Sequence, residues 1–216
     1  QPLLYLAGAT VLLASFIAMR QDNLKARLAY STIGQLGYIT IGALLASPIG
    51  VIGGSMHIAM HAFGKITLFF CAGAILVAAH KSKVSQLDGL GRRMPITMAA
   101  FFIASLGIIG IPPAGGTWSK WYLLMGSMDT EQWTILVILL ISSLLNIAYL
   151  LPIPIRAFLY KESPANSALG VKEAPLACLI AIGITTLATM ALFIYPAPLY
   201  ELASSILQTT SIAHGQ

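Results

Sequence analysis

Three protonatable side chains stand four residues apart in one apolar run: His57, His61 and Lys65, within HIAMHAFGKITLFF at 57–70. In a helix, positions i, i+4 and i+8 drift by only about 40° per step and the row is about 12 Å long, so the three share one face. Histidine changes charge close to neutral pH. A lysine at the centre of a membrane helix costs on the order of 2.5–3.5 kcal/mol on insertion scales, and Lys65 lies too deep to lift its ammonium to an interface. Groups that exchange protons, stacked along the membrane normal, are what a proton relay needs. Other readings stay open. A membrane histidine can serve as a helix–helix hydrogen-bonding residue. Haem ligation normally needs histidines from two facing helices, and the remaining ones, His80 and His214, fall at a helix end and in the tail. A metal transporter would want carboxylates or thiolates beside the histidines, and no Asp or Glu lies within an apolar run.

A second lysine inside an apolar run, Lys120, follows a helix-breaking stretch in GIPPAGGTWSKWYLL. Prolines and glycines in tandem end a helix. Broken membrane helices expose free N–H and C=O groups and recur where ions or protons cross, which makes Lys120 a candidate gate or relay group. A lysine at an exposed half-helix end is the plainer alternative. Ser31, Thr32, Gln35 and Asn146 are smaller polar groups that could help water enter.

The elements that must hold these residues are membrane helices. Of 216 residues, 57% are hydrophobic and 9% charged, against about 25% charged in a soluble domain. A spanning helix needs about 20 mostly apolar residues, and backbone in lipid must satisfy its own hydrogen bonds. The sequence reads as six spans, an all-α membrane bundle over residues 1–201 with a polar, frayed tail at 202–216. The spans fall near 2–19, 28–46, 51–79, 94–127, 133–160 and 175–199, the fourth interrupted at IPPAGG. Pro95 suits a first helical turn. The two cysteines, Cys71 and Cys178, sit in apolar runs and read as small hydrophobes.

Charge supports one broken fourth span. With alternating crossings, the connections at 20–27, 80–93 and 156–173 share a side and hold ten of the twelve Lys and Arg residues, while the other side carries Asp129, Glu131 and Glu201. Lys and Arg accumulate on the cytoplasmic side, so the basic loops are expected to be cytoplasmic and both ends of the chain external. The net charge of +5 lies in these connections and does not point to nucleic acid. The start at Gln1, without Met or leader, suggests a piece of a longer polytopic protein.

Four motifs together carry a resemblance: LKARLAYSTIGQLGY at 24–38, HIAMHAFGKITLFF at 57–70, LDGLGRRMP at 87–95 and GIPPAGGTWSKWYL at 110–123. In order and spacing the chain resembles the antiporter-like membrane subunits shared by respiratory complex I, membrane-bound hydrogenases and Mrp-type multisubunit cation/proton antiporters, over most of its length. That family's fold holds two inverted helical repeats, and the resemblance implies that this chain is the second repeat plus a final helix. Lys120 then matches the key lysine of the broken helix, where some members carry glutamate, and Lys65, His61 and His57 match the relay on the preceding helix. The family usually has Gly-Phe shortly before Ser-Lys. Here the run is Gly116-Thr117-Trp118, with the aromatic shifted by one. WSKW and PPAGG are more similar to the Mrp antiporter branch of the family than to complex I.

The expectation is a proton-conducting subunit of a multisubunit monovalent cation/proton antiporter, in the inner (plasma) membrane, working with other membrane subunits, protons and Na+, and binding no cofactor. The alternative is a proton-pumping membrane-arm subunit of NADH-quinone oxidoreductase or a related membrane-bound hydrogenase, in which this chain would pump while its partners do the redox chemistry. A structural scaffold with polar helix contacts is the third reading.

Overall fold

Apolar side chains dominate every long segment, so helices that satisfy their own backbone are the only economical structure in lipid. The computed structural model describes residues 1–161 and 172–214. Among these it is all-helical, apart from one isolated bridge pairing Asn23 with Lys83. The helices are α1 (Pro2–Arg20), α2 (Leu24–Leu44), α3 (Pro48–Ala79), α4 (Pro95–Ile109), α5 (Gly116–Asp129), α6 (Trp133–Leu150), α7 (Pro152–Leu159), α8 (Leu176–Ile194) and α9 (Ala197–His214), with short 3-10 turns at Val84–Gln86 and Leu90–Arg92. Among the described residues, four stretches are long and apolar enough to cross a membrane: α1, α3, α6 with α7, and α8. α2 has the length, but Lys25, Arg27, Ser31, Thr32 and Gln35 dilute its apolar character.

Local chemistry sets the ends. Asn23 Oδ1 accepts the Ala26 N–H at 3.0 Å to start α2, and Ser47 Oγ accepts the Gly50 N–H at 3.0 Å to start α3, each filling a donor that the first helical turn leaves unpaired. α4 starts at Pro95 with no cap of its own. Glu173 supplies one from a distance, accepting from Ile96 N at 2.9 Å and from the Thr97 hydroxyl at 2.5 Å, a placement that the positive helix N-terminus favours. Pro152 divides the expected fifth span into α6 and α7, and Pro196 ends α8 before α9 begins.

The outside of the bundle is apolar. Leu13, Leu144 and Leu187 are each more than 60% exposed, as suits a lipid-facing surface. Inside, helices meet at small residues. A Cβ built on Gly42 would fall 2.7 Å from Gly54 Cα, and one on Gly126 would fall 2.7 Å from Gly50 Cα, so α2 and α5 approach α3 at backbone distance, the packing that membrane helices rely on.

The basic connections meet at one end. Leu24 N donates to Ser82 O at 2.8 Å, the Ser85 hydroxyl donates to Asp22 Oδ2 at 2.8 Å, and Arg156 holds Asp88 through two hydrogen bonds of 2.7 and 3.0 Å. α4 sets out from this end, while α5 finishes against Gly50 at the start of α3. Two basic residues counted with the connections are buried. Arg27 is 9% exposed in the first turns of α2, and Lys81 is 8% exposed and donates to Gln86 O at 3.1 Å. Much of the expected 156–173 connection lies outside the described residues.

The C-terminal stretch differs from the expected frayed tail at 202–216. It is helical through His214, and Ala203 is buried with Ile52, Met56 and Met60 of α3 while Leu199 and Leu207 pack alongside. Its serines hide an apolar stripe in the composition. Ser204 and Ser205 donate back to Glu201 O and Leu202 O, a local bond that lets serine sit within a helix. The last two residues of that tail lie outside the described ones.

Close packing and loop lacing can each be probed. A Cβ on Gly116 would fall 1.9 Å from Gly107 O, whereas one on Gly73 meets nothing within 4 Å. Gly116→Ala is expected to destabilise the full-length protein by about 1–3 kcal/mol through overpacking, and Gly73→Ala to stabilise it by up to about 1 kcal/mol through helix propensity, as read by thermal unfolding in detergent. The hydrogen bond from Arg156 is the main cause that holds the Asp88 carboxyl below its usual value. Its contribution is therefore full above the unfolded carboxylate value of about 3.9 and is lost as pH falls through the lower folded value. The protection factors of the amides at 88–93, corrected for the intrinsic pH dependence of exchange, should fall on acidification through that range, and Asp88→Asn should remove that fall.

Candidate functional site

The break between α4 and α5 follows from its residues. Gly110 has φ +91, a conformation open to glycine, and the two prolines that follow cannot extend the helix. α4 therefore ends with a carbonyl unpaired within the helix. Lys120, one turn into α5, folds back over that end. Its Nζ donates to Ile109 O at 3.0 Å and to Ser143 Oγ of α6 at 3.2 Å, and stands 4.6 Å from the centre of the Tyr38 ring. The negative end of the α4 dipole and the ring face both favour a cation there. Lys120 is 6% exposed. Beside it a cavity of about 450 Å³, lined by Gly110, Thr117, Trp121, Ser143 and Leu144, reaches the lipid-facing side. Trp118, the shifted aromatic, donates from Nε1 to Phe193 O at 2.9 Å and stacks on the Phe193 ring, which ties the break to α8.

Ser119, the residue before this lysine, ties α5 to the stripe on α3. Its Oγ is 2.8 Å from His57 Nδ1, and His57 Nε2 is 3.1 Å from Gln35 Oε1 of α2. With the Gln35 oxygen as acceptor, Nε2 carries the hydrogen, and Nδ1 shares the single Ser119 hydroxyl hydrogen with Gly116 O, 3.1 Å from that hydroxyl. The His57 ring lies between Tyr38 at 5.5 Å and His61 at 5.9 Å, stacked on both. Both nitrogens of His57 lie within hydrogen-bond distance of side chains from α5 and α2. His61 is 8% exposed, and its Nδ1 is buried without a partner.

Lys65 closes the row in a second polar cluster. Its Nζ donates to Ser31 Oγ at 2.6 Å and to Leu28 O at 3.2 Å. The Tyr149 hydroxyl lies 2.8 Å from Ser31 Oγ and also bonds Asn146 Oδ1. Asn146 Nδ2 is buried without a partner. Arg27 Nη1 donates to Tyr149 O at 3.1 Å and its Nε to Gln21 O at 2.8 Å, so a fixed cation stands between this cluster and the loop end.

All four residues expected to carry protons thus lie inside one bundle. The Tyr38 ring lies between Lys120 and His57, His61 stacks on His57, and Lys65 stands in a neighbouring cluster. Of the smaller polar residues, Ser31, Gln35 and Asn146 take part, while Thr32 bonds back to Leu28 O of its own helix. Tyr38, Tyr149, Ser143 and Arg27 are participants that spacing does not single out. Ser119 had one signal, its place beside Lys120.

The family model for the transmembrane part of NADH:quinone oxidoreductase and Mrp antiporters matches residues 1–146. A protein from Desulforudis audaxviator named NADH-quinone oxidoreductase subunit N is 36% identical over 175 residues, covering 81% of this chain and 35% of that protein. Among solved structures, the Mrp complex from Dietzia sp. superposes with a TM-score of 0.86 at 24% identity, over 93% of this chain and 45% of the other, a likeness of fold. An archaeal membrane-bound sulfane sulfur reductase gives 0.82 at 29% identity, over 89% and 32%. The chain spans about a third of the length of the Desulforudis relative. With four long apolar helices among its described residues and a broken α4–α5 segment, it belongs to the NADH:quinone oxidoreductase/Mrp antiporter transmembrane family.

Proposed function

We propose that this chain is the proton-conducting part of a multisubunit membrane complex, in which Lys65, His61, His57 and Lys120 pass protons across the bundle interior. The observation that carries this reading is that both buried lysines are held by neutral groups alone, and that the Tyr38, His57 and His61 rings form a continuous stack that starts beside Lys120 and runs along α3 toward Lys65. An ammonium in such a setting can give up or regain its proton without breaking an ion pair.

In this reading residues 1–201 form one bundle of six crossings with α4 and α5 as a single broken span, the second of two inverted repeats followed by a final helix. The start of α4 at the loop end and the finish of α5 at Gly50 support the single crossing, and the short coverage of longer relatives supports a repeat within a larger protein. The complex sits in the inner membrane with the basic loops in the cytoplasm and both ends of this chain outside, on the strength of the Lys and Arg distribution. The name of the 36% identical relative favours coupling to a quinone-reducing partner. The WSKW and PPAGG motifs favour an antiporter exchanging Na+ for protons.

The test is proton movement in inverted vesicles carrying the full complex, followed by a quenched pH-sensitive dye. Lys120→Ala is expected to lower the rate by roughly 100-fold, in the range of a lost proton-transfer group, while Lys120→Arg retains a cation at the break and Lys65→Ala behaves like Lys120→Ala. A requirement for NADH alone supports the redox pump, and a requirement for sodium the antiporter. Normal pumping by an assembled Lys120→Ala complex would sink the relay and favour the scaffold reading.

A further inference from the structure

The cluster around Lys65 has a hydrogen-bond polarity that no single arrangement satisfies. A phenol and a serine each own one hydrogen, an ammonium owns three, and a side-chain amide has an accepting end and a donating end. When Lys65 is an ammonium it donates to Ser31 Oγ, so the serine hydrogen turns to the Tyr149 oxygen 2.8 Å away, and the tyrosine hydrogen goes to Asn146 Oδ1. Every hydrogen points away from the lysine, and Asn146 Nδ2 has no partner. When Lys65 is a neutral amine its lone pair needs a donor. Ser31 can supply it, Tyr149 then donates to Ser31, and the amide oxygen has lost its donor. A half-turn of the amide brings Nδ2 to the Tyr149 oxygen and satisfies the atom that was left over.

We infer that Ser31, Tyr149 and Asn146 form a reversible hydrogen-bond chain that follows the charge of Lys65, with the Asn146 amide turning over between two states. These are positioning residues, since an amide cannot take up a proton and the chain ends there. The proton of Lys65 therefore leaves on the other side, toward His61 one turn away on α3, whose Nδ1 is buried and unpartnered. The ionisable groups facing the cluster are His61 on α3, Arg27 and Tyr38 on α2, Tyr149 itself on α6 and Lys120 on α5. α4 carries no ionisable residue, and Tyr5 and Arg20 of α1 and Cys178 of α8 are exposed. The inference rests on the proposed relay only for its effect on transport.

Two measurements on the full-length protein in its complex test it. Infrared difference spectra between acid and alkaline forms, with isotope-labelled asparagine, should show a side-chain amide band that is lost in Asn146→Leu and in Tyr149→Phe. Absence of that band in the wild type overturns the inference. A band in a wild type that moves no protons leaves the chain standing and removes the relay. In transport, Tyr149→Phe keeps the ring and should shift the midpoint of the pH–rate profile by about half a pH unit or more. Ser15→Ala, which removes a buried bond to Ser142 elsewhere in the bundle, should leave the profile in place. An unshifted profile in a transporting Tyr149→Phe protein overturns the inference.

Discussion

The contact on which the interior depends is the Lys120 ammonium seated on the last carbonyl of α4. A helix broken inside an apolar bundle leaves polar backbone in a medium that cannot solvate it, and a lysine carried into the same medium needs oxygens around it. Each solves the other's problem. The arrangement fixes much else: Gly110 must have no side chain where Lys120 Cδ passes, α6 must bring Ser143 to the ammonium, and α2 must place the Tyr38 ring beside it.

From that seat the polar interior extends in one direction along α3. The same four-residue spacing that stacks His57 on His61 sets Lys65 a further turn away, where α2 and α6 contribute Ser31 and Tyr149. The two lysines do not share a partner. Between them stand two aromatic nitrogen bases, one fully engaged and one with a free buried nitrogen. The proposed relay gives this alternation of satisfied and unsatisfied groups a use, whereas a scaffold gains by satisfying all of them.

The α3 row and the α4–α5 break are legible in the sequence for a physical reason. A lysine inside an apolar run and a Pro-Pro-Ala-Gly-Gly tract are both costly in a membrane helix, so each stands out without knowledge of neighbours. Their partners do not stand out. Tyr38, Ser143 and Tyr149 are ordinary residues in apolar helices, and only packing decides which face they occupy. The burial of Arg27 and Lys81 is illegible for the same reason, since it depends on loops far apart in sequence lacing together. α9 passes for a frayed tail because Ser, Thr and Gln interrupt its apolar residues, while the contacts that hold it come from the few positions facing α3.

The row from Lys65 to His57 stands along one helix that is fixed at both ends, by Ser47 at its start and by the laced loops after Ala79. A charge stepping along it covers about 12 Å of a hydrocarbon core about 30 Å thick. That is about 40% of the membrane's electric field, so each proton moved along the row exchanges about 0.9 kcal/mol with a potential of 100 mV. In the proposed relay the stripe is thus a capacitor element as well as a chemical one, its occupancy responding to voltage and its filling or emptying electrogenic.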